Sequence, residues 1–220
     1  MKMATRKDKT AITAALYEFD RAAASECQGV IIGIDEVGRG PLAGPVMAAA
    51  VILDHGSPIA GINDSKQLSA EKRERCGERI VAEAIAYALG SASVEEIDRL
   101  NILQATFLAM RRALGAITLP WTMALVDGNQ PIPGIPPDRQ MTVVRGDGLS
   151  ASIAAASILA KVTRDRLMKD YHERFPMYDF SCNKGYGTEL HRLRISEFGL
   201  CAIHRRSFCT GITLQTKLAL

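Results

Sequence analysis

Short apolar runs alternate along the chain with stretches that have helical periodicity. The runs typical of buried strands are residues 30–34, 47–53, 87–93, 122–126 and 141–145, and the helical stretches are residues 69–86, 101–114 and 150–173. A glycine-rich turn at residues 40–44 separates the first two runs and predicts a hairpin. Ser69 is a typical N-cap for the first helix, and Gly115 ends the second. The apolar face of the first helix is predicted to hold Ile80, Val81, Ala84 and Ile85. This order of elements predicts one main α/β domain.

Carboxylates follow three of the predicted strands. The first run stops on Asp35 and Glu36, the fourth stops on Asp127, and the fifth is followed by Asp147. In an open α/β sheet, ligands bind outside the carboxyl ends of the strands, where such side chains can converge. One Asp-Gly pair after a strand is usually only a turn. Three such ends, one of them with a doubled acid, instead predict a metal site.

Clustered Asp and Glu side chains also indicate which ion would bind. They offer hard oxygen donors, which favour Mg²⁺ or Mn²⁺ over zinc. Carboxylates packed together repel one another unless divalent ions neutralise them. Two ions about 4 Å apart would bridge a phosphodiester, activate water and stabilise the leaving oxygen. Hydrolysis of nucleic acid is therefore the leading hypothesis.

The composition is that of an ordinary globular protein, with 220 residues of which 47% are hydrophobic and 23% charged. The charged N-terminus leads into no apolar segment, and no uncharged stretch reaches the roughly 18 residues that span a bilayer. We therefore expect no secretory signal and no membrane partner. Five scattered cysteines without a C-x-x-C pair predict reduced thiols in the cytoplasm.

Positive charge is concentrated towards the C-terminus. The whole chain carries +3, but from residue 182 onward six Lys or Arg face two Glu, a local surplus of +4. A basic face near an acidic site suits a polyanionic substrate. Solvated charge on a helix surface explains the same surplus equally well.

Six sequence blocks carry a family resemblance. They are GIDEVGRGPLAGPV at residues 33–46, DSKQLS at 64–69, DGN at 127–129, IAAASILAKVTRD at 153–165, GYGT at 185–188 with His191, and HRRSF at 204–208. In this order they resemble the type 2 ribonucleases H, bacterial ribonuclease HII in particular. The resemblance spans about residues 29–208.

The resemblance implies a fold and a domain arrangement. The fold would be ribonuclease H-like α/β, with a mixed five-stranded sheet flanked by helices and a small helical C-terminal part. Residues 29–220 would form the catalytic domain, including this C-terminal substrate-binding part. Residues 1–28 would be an N-terminal extension of no assignable role.

Four acids match the catalytic, metal-binding positions of that family: Asp35, Glu36, Asp127 and Asp147. Asp165 competes with Asp147 for the fourth position. Asp147 is preferred because it follows a predicted strand, whereas Asp165 lies deep in a predicted helix, where neighbouring basic residues can pair with it.

The resemblance also implies substrate-binding residues. The turn of Gly38, Arg39 and Gly40 would contact the 2′-hydroxyl of a ribonucleotide, because glycine lets the backbone approach a sugar closely. Tyr186 would pack on the deoxyribose beyond the cleaved linkage. Lys66 and Lys184, together with the arginine of the turn, would contact phosphates.

The implied activity is that of an endoribonuclease. It would hydrolyse RNA in RNA–DNA hybrids and cut 5′ of single ribonucleotides in duplex DNA, by two-metal-ion hydrolysis that leaves 3′-hydroxyl and 5′-phosphate ends. The expected cofactor is Mn²⁺ or Mg²⁺, the expected state is a monomer, and the expected role is ribonucleotide excision repair. Two other classes stay open, a non-catalytic module that binds hybrids and a metal-dependent phosphomonoesterase.

Overall fold

A mixed β-sheet forms the centre of the protein. The structure, a computed structural model, describes residues 6–63 and 65–218; Asp64, part of the second sequence block, lies outside them. The strands are β1 (Ile31–Val37), β2 (Val46–Ile52), β3 (Ala86–Ala92), β4 (Met123–Asp127) and β5 (Gln140–Val143), in the spatial order β3-β2-β1-β4-β5. Strand β2 is antiparallel to both of its neighbours, whereas β1, β4 and β5 are parallel. The predicted mixed five-stranded sheet and its first hairpin are confirmed.

Helices flank this sheet. They are α1 (Arg6–Glu26), α2 (Ala70–Glu83), α3 (Val94–Leu100), α4 (Ile102–Gly115), α5 (Ala151–Arg174), α6 (Phe180–Asn183), α7 (Glu189–Phe198) and α8 (Arg206–Leu218). Three of them were predicted. Ser69 caps α2 as expected, and Asn101 and Ser150 also accept backbone N–H groups at the first turns of α4 and α5. Helix α3 was not predicted, α1 lies in the expected N-terminal extension, and α6 to α8 form the expected helical C-terminal part.

Two apolar layers hold the helices on the sheet. Helix α4 packs on one face, and α5, with α2 and α1, packs on the other. Helix α5 approaches β1 so closely that a Cβ on Gly33 would lie 2.1 Å from the main-chain carbonyl carbon of Ser152. Small residues along α5 and glycine in β1 therefore permit this contact, which holds the acid-bearing strands rigidly.

Helix α1 joins the same core. Leu16 and Tyr17 are buried among residues of the sheet and α5. Asp20 is fully buried and accepts hydrogen bonds from the hydroxyl of Ser150 and from the backbone N–H and hydroxyl of Ser152. This carboxylate thus caps the N-terminus of α5, where negative charge is stabilised. The boundary at residue 29 stays a prediction.

Candidate active site

Parallel strands bring three acids to one edge of the sheet. Asp35 and Glu36 lie in the last three residues of β1, and Asp127 is the last residue of the neighbouring β4. All three line one open cleft of about 280 Å³. Asp147 follows β5 in a short 3-10 turn, and its charge adds to burial in raising the pKa of Asp127. The ends of β1 and β4 therefore meet at one cleft, whereas Asp147 after β5 is not among the residues that line it.

The acids of this cleft hold an excess of negative charge. Asp35 is only 5% exposed, and burial, followed by the charges of Glu36 and Asp127, raises its pKa well above the usual range. Burial is also the main reason that the pKa values of Glu36 and Asp127 are raised. Each carboxylate thus lacks enough positive charge or solvent around it, a deficit that a divalent cation would correct.

Some oxygens of these carboxylates already accept hydrogen bonds from the protein. Asp35 accepts from the backbone N–H of Glu36 at 2.7 Å, and Asp127 accepts from that of Gly146 at 2.6 Å. The Glu36 carboxylate accepts from Arg39. The ammonium of Lys66 lies 3.0 Å from Oδ2 of Asp147.

The acids of the cleft do not form a complete metal site as they stand. In residues 6–63 and 65–218, no three His, Cys, Asp or Glu side chains are placed so that they could hold an ion as they stand. The donor chemistry nevertheless suits a hard divalent cation, because it consists of carboxylate oxygens with raised pKa values. Lys66 and Arg39 would have to release their carboxylates when an ion binds.

The two candidates for the fourth acid have different surroundings. Asp165 lies on α5, where its carboxylate pairs with Lys161 at 2.7 Å and with Arg73 at 3.8 Å. Asp147 also pairs with a lysine, Lys66 at 3.0 Å, but its charge adds to the burial that raises the pKa of Asp127. These contacts favour Asp147 for the fourth position.

The predicted substrate-binding residues are only partly brought together. Gly38, Lys66 and Tyr186 line the cleft. A Cβ on Gly40 would lie 3.8 Å from Cε1 of Tyr186, so the glycine turn and the tyrosine are neighbours. The ammonium of Lys184, however, donates to the carbonyl of Ser181 and is not among the groups that line the cleft.

Four further polar residues line the cleft: Ser65, Arg73, Ser157 and Lys161. Ser157 hydrogen-bonds to Asp35 and lies 2.9 Å from the hydroxyl of Ser65. None of the four was predicted to act at the site. Ser157 and Lys161 were detectable, because two polar residues four positions apart interrupt an otherwise apolar helix segment on one face.

A ribonuclease H-like sheet with acids at the ends of parallel strands defines a class, that of the ribonuclease H hydrolases. A family model described as ribonuclease HII matches residues 32–211. Curated ribonuclease HII proteins from Burkholderia thailandensis and Burkholderia mallei are 56% identical over 180 residues, which cover 81% of this chain and 83% of each relative. The chain therefore belongs to the ribonuclease HII family and is an endoribonuclease. The alternatives of a non-catalytic module and a phosphomonoesterase are set aside.

Solved structures agree with this fold. The ribonuclease H2 from Pyrococcus horikoshii has a TM-score of 0.70 and 22% identity, over 86% of this chain and 99% of that one. The ribonuclease HII in a complex with PCNA from Archaeoglobus fulgidus has a TM-score of 0.65 and 25% identity, over 80% and 93%. Bst-RNase HIII, in a complex with Mn²⁺, has a TM-score of 0.67 and 19% identity, over 86% and 70%. In the part of the chain that the structure describes, no helix combines the length and apolar character needed to cross a bilayer.

Proposed function

We propose that this chain hydrolyses the RNA strand of RNA–DNA hybrids and also cuts duplex DNA on the 5′ side of a single embedded ribonucleotide, which leaves 3′-hydroxyl and 5′-phosphate ends. One observation carries the proposal: Asp35, Glu36 and Asp127 share a cleft with Gly38 and Tyr186. Acids suited to phosphodiester hydrolysis therefore lie beside groups suited to a nucleotide sugar. Such a cut would begin the excision of ribonucleotides from DNA.

Asp35, Glu36, Asp127 and Asp147 would hold Mn²⁺ or Mg²⁺ and are the proposed catalytic residues. Two divalent ions bound there would activate a water molecule and neutralise charge on the leaving oxygen. The chain's own contribution is to orient the carboxylates and to offset part of the burial that opposes their ionisation. Ser157 supports this for Asp35, because its hydrogen bond lowers the pKa that burial raises.

The cations beside the acids would change partners when substrate binds. The Lys66 side chain is 79% exposed, and its ammonium would turn from Asp147 towards a phosphate. Arg39 is half exposed and would exchange the carboxylate of Glu36 for a phosphate in the same way. Lys184 would first have to leave the carbonyl of Ser181. Phosphate contacts of this kind position a nucleic acid without reading its sequence.

The sugar would be recognised by the turn of residues 38–40 and by Tyr186. Gly38 has a φ of +93°, a backbone conformation that side chains rarely adopt, so the turn depends on glycine there. Its main chain would approach the 2′-hydroxyl, the group that distinguishes RNA from DNA. Tyr186 is 44% exposed beside the turn, and its ring offers a flat surface on which the next deoxyribose would pack.

The state of the protein is also part of the proposal. We propose a cytoplasmic protein, because the five cysteines are reduced thiols, as expected in a reducing compartment. We propose that it acts as a monomer. Residues 29–220 would form the catalytic domain, and residues 1–28 would be an extension that is not part of the chemistry.

An end-labelled duplex with one ribonucleotide tests the activity. It is incubated with Mg²⁺, Mn²⁺ or EDTA, beside an all-DNA duplex of the same sequence and an RNA–DNA hybrid, and the products are resolved by length. We expect one cut 5′ of the ribonucleotide, with either ion and not with EDTA. Cutting of the hybrid alone would show that single ribonucleotides are not substrates. Full cutting in EDTA would show that the reaction needs no divalent ion.

A further inference from the structure

Two arginines are fully buried beneath the substrate-binding loops. Arg164 of α5 donates from Nε to the carbonyl of Pro45 at 3.1 Å, from one Nη to that of Ala43 at 3.0 Å, and from the other to that of Lys184 at 2.9 Å. All three acceptors belong to loops, and none is a carboxylate. The fork of one guanidinium thus joins the loop of residues 38–45 to the loop that carries Tyr186.

Arg205 has the same surroundings. Immediately before α8, it is also fully buried and donates to the carbonyls of Gly38, Arg39 and Gly44. Two of these acceptors belong to the turn that would contact the ribose. The two arginines together therefore make six hydrogen bonds to main-chain carbonyls of the two loops.

Burial makes these hydrogen bonds hard to break. A buried cation is tolerated only when hydrogen bonds compensate for its lost hydration. Burial lowers the pKa of Arg164, and burial together with the charge of Arg164 lowers the pKa of Arg205 to about 9. Movement of either loop would leave guanidinium N–H groups unbonded in the interior. The loops are consequently held where the guanidinium groups require them.

Close packing removes the remaining freedom. A Cβ on Gly38 would lie 2.3 Å from Nε of Arg164, and a Cβ on Gly185 would lie 2.5 Å from the carbonyl oxygen of Ala43. The backbone N–H of Leu42 also donates directly to the carbonyl of Gly185 at 2.8 Å. The two loops and Arg164 thus form one unit with no room for sliding.

We propose that Arg164 and Arg205 are positioning residues that fix the distance between the turn of residues 38–40 and Tyr186, and so select the nucleotide at which the strand is cut. This inference rests on the proposed function, because it assigns the turn and the tyrosine to the sugar. Neither arginine touches the substrate, and both act through the loops that do.

The two substrates depend differently on that distance. A single ribonucleotide offers one 2′-hydroxyl, so a displaced turn has no alternative group to contact. In a hybrid every nucleotide of one strand offers a 2′-hydroxyl, so a displaced turn finds another one nearby. Loosening the loops should therefore reduce cleavage of the single-ribonucleotide duplex far more than cleavage of the hybrid.

Arg164→Lys and Arg205→Lys test this separately. Lysine keeps the positive charge, but its single ammonium cannot replace a three-way fork. Arg166→Lys is the matched control, since it lies on the same helix and its guanidinium bonds Glu74 of α2 instead. Single-turnover rates are measured on both substrates well below the melting temperature of each variant.

We expect the cleavage rate of each test variant to fall about tenfold more on the single-ribonucleotide duplex than on the hybrid. An effect of this size is expected because misplacing reacting groups by a fraction of an ångström slows a reaction strongly. Arg166→Lys should leave the ratio unchanged. The ratio does not depend on the fraction of folded enzyme, so equal losses on both substrates would overturn the proposal.

Hydrogen–deuterium exchange gives a second test that needs no cleavage. Arg164→Lys should speed exchange in both loops, residues 38–44 and 184–187, because its fork joins them. Arg205→Lys should speed exchange in residues 38–44 alone. Unchanged exchange there would refute the inference. If the wild type leaves single ribonucleotides uncut, the proposed function fails, whereas exchange and the positions of cuts in the hybrid still decide the role of the arginines.

Discussion

The ammonium of Lys66 and the carboxylate of Asp147 form an ion pair at 3.0 Å, although one side chain is 79% exposed and the other is almost buried. A divalent cation at the carboxylate would compete with this ammonium. We therefore expect Lys66→Met to bind Mn²⁺ more tightly, by a fewfold, while it cleaves more slowly because a phosphate contact is lost. Isothermal titration with Mn²⁺ and steady-state cleavage measure the two effects.

Lys72→Met, a change of the same kind at an exposed position of α2, is the control for that experiment. It should leave both quantities as they are. Weaker Mn²⁺ binding by Lys66→Met would mean that the lysine supports the ion site instead of competing with it.

Asp35→Asn should lower cleavage by about a thousandfold or more while substrate binding persists, because the amide keeps the shape of the carboxylate but supplies no negative charge for an ion. Cleavage rates and fluorescence anisotropy with a labelled hybrid in Ca²⁺ measure the two properties. Asp54→Asn, an exposed aspartate of the loop after β2, is a control that should leave both unchanged. Wild-type cleavage by Asp35→Asn would remove this residue from the proposed ion site.

The acids of the cleft should make stability depend on pH. Because the pKa of Asp35 is raised above its unfolded value, the folded state binds this proton more tightly than the unfolded state does. The ionised Asp35 carboxylate therefore destabilises the folded state. This destabilisation is fully present above the folded pKa and is relieved as the pH falls through that pKa. In EDTA, Asp35→Asn should therefore melt higher than the wild type at alkaline pH, by an amount that shrinks towards acid pH. A constant or opposite difference between the two melting curves would contradict the raised pKa.

The identity of the fourth acid is testable by a pair of variants. Asp147→Asn should lower cleavage by about a hundredfold or more, since the charge next to Asp127 is lost. Asp165→Asn should keep most of the activity and lower the free energy of unfolding by less than about 1 kcal/mol, because it only breaks pairs with Lys161 and Arg73 at partly exposed positions. Cleavage assays and urea unfolding measure the two effects. If Asp165→Asn were inactive and Asp147→Asn active, Asp165 would be the fourth acid.

Tyr186→Ala should raise KM by roughly tenfold, because a flat ring is lost from the surface that would receive a sugar, whereas Tyr186→Phe should stay close to the wild type. Steady-state kinetics on the single-ribonucleotide duplex measure both. Equal losses in the two variants would assign the role to the phenol hydroxyl instead of the ring.

Much of the fold and the acidic part of the site could be predicted from the sequence. Ser69 and Ser150 mark helix starts because a hydroxyl before a periodic segment satisfies free N–H groups. Asp35 and Asp127 could be placed together because parallel strands present their carboxyl ends at one edge of the sheet. Helix α3 was missed, because its seven residues are too few for helical periodicity to be recognised.

Burial was less predictable than secondary structure. Ile80 is fully buried as expected, but Val81 and Ile85, predicted on the same face, are about half exposed. Helix α2 ends at Glu83, so Ile85 lies beyond the helix and does not share its face, and Val81 shows that apolar spacing does not fix the extent of burial. Lys184 gave no sign in the sequence that it would turn to the carbonyl of Ser181.

The sequence by itself determined the strands, the main helices and the order of the acids, since these follow from local periodicity and from turns a few residues long. Only the tertiary structure decided which distant loops meet. Arg164 lies 119 residues from Pro45 and 20 from Lys184, yet one guanidinium bonds both carbonyls. Such contacts arise because the sheet and α5 bring remote segments of backbone together, and a buried cation must then find its acceptors among whatever carbonyls the packing supplies.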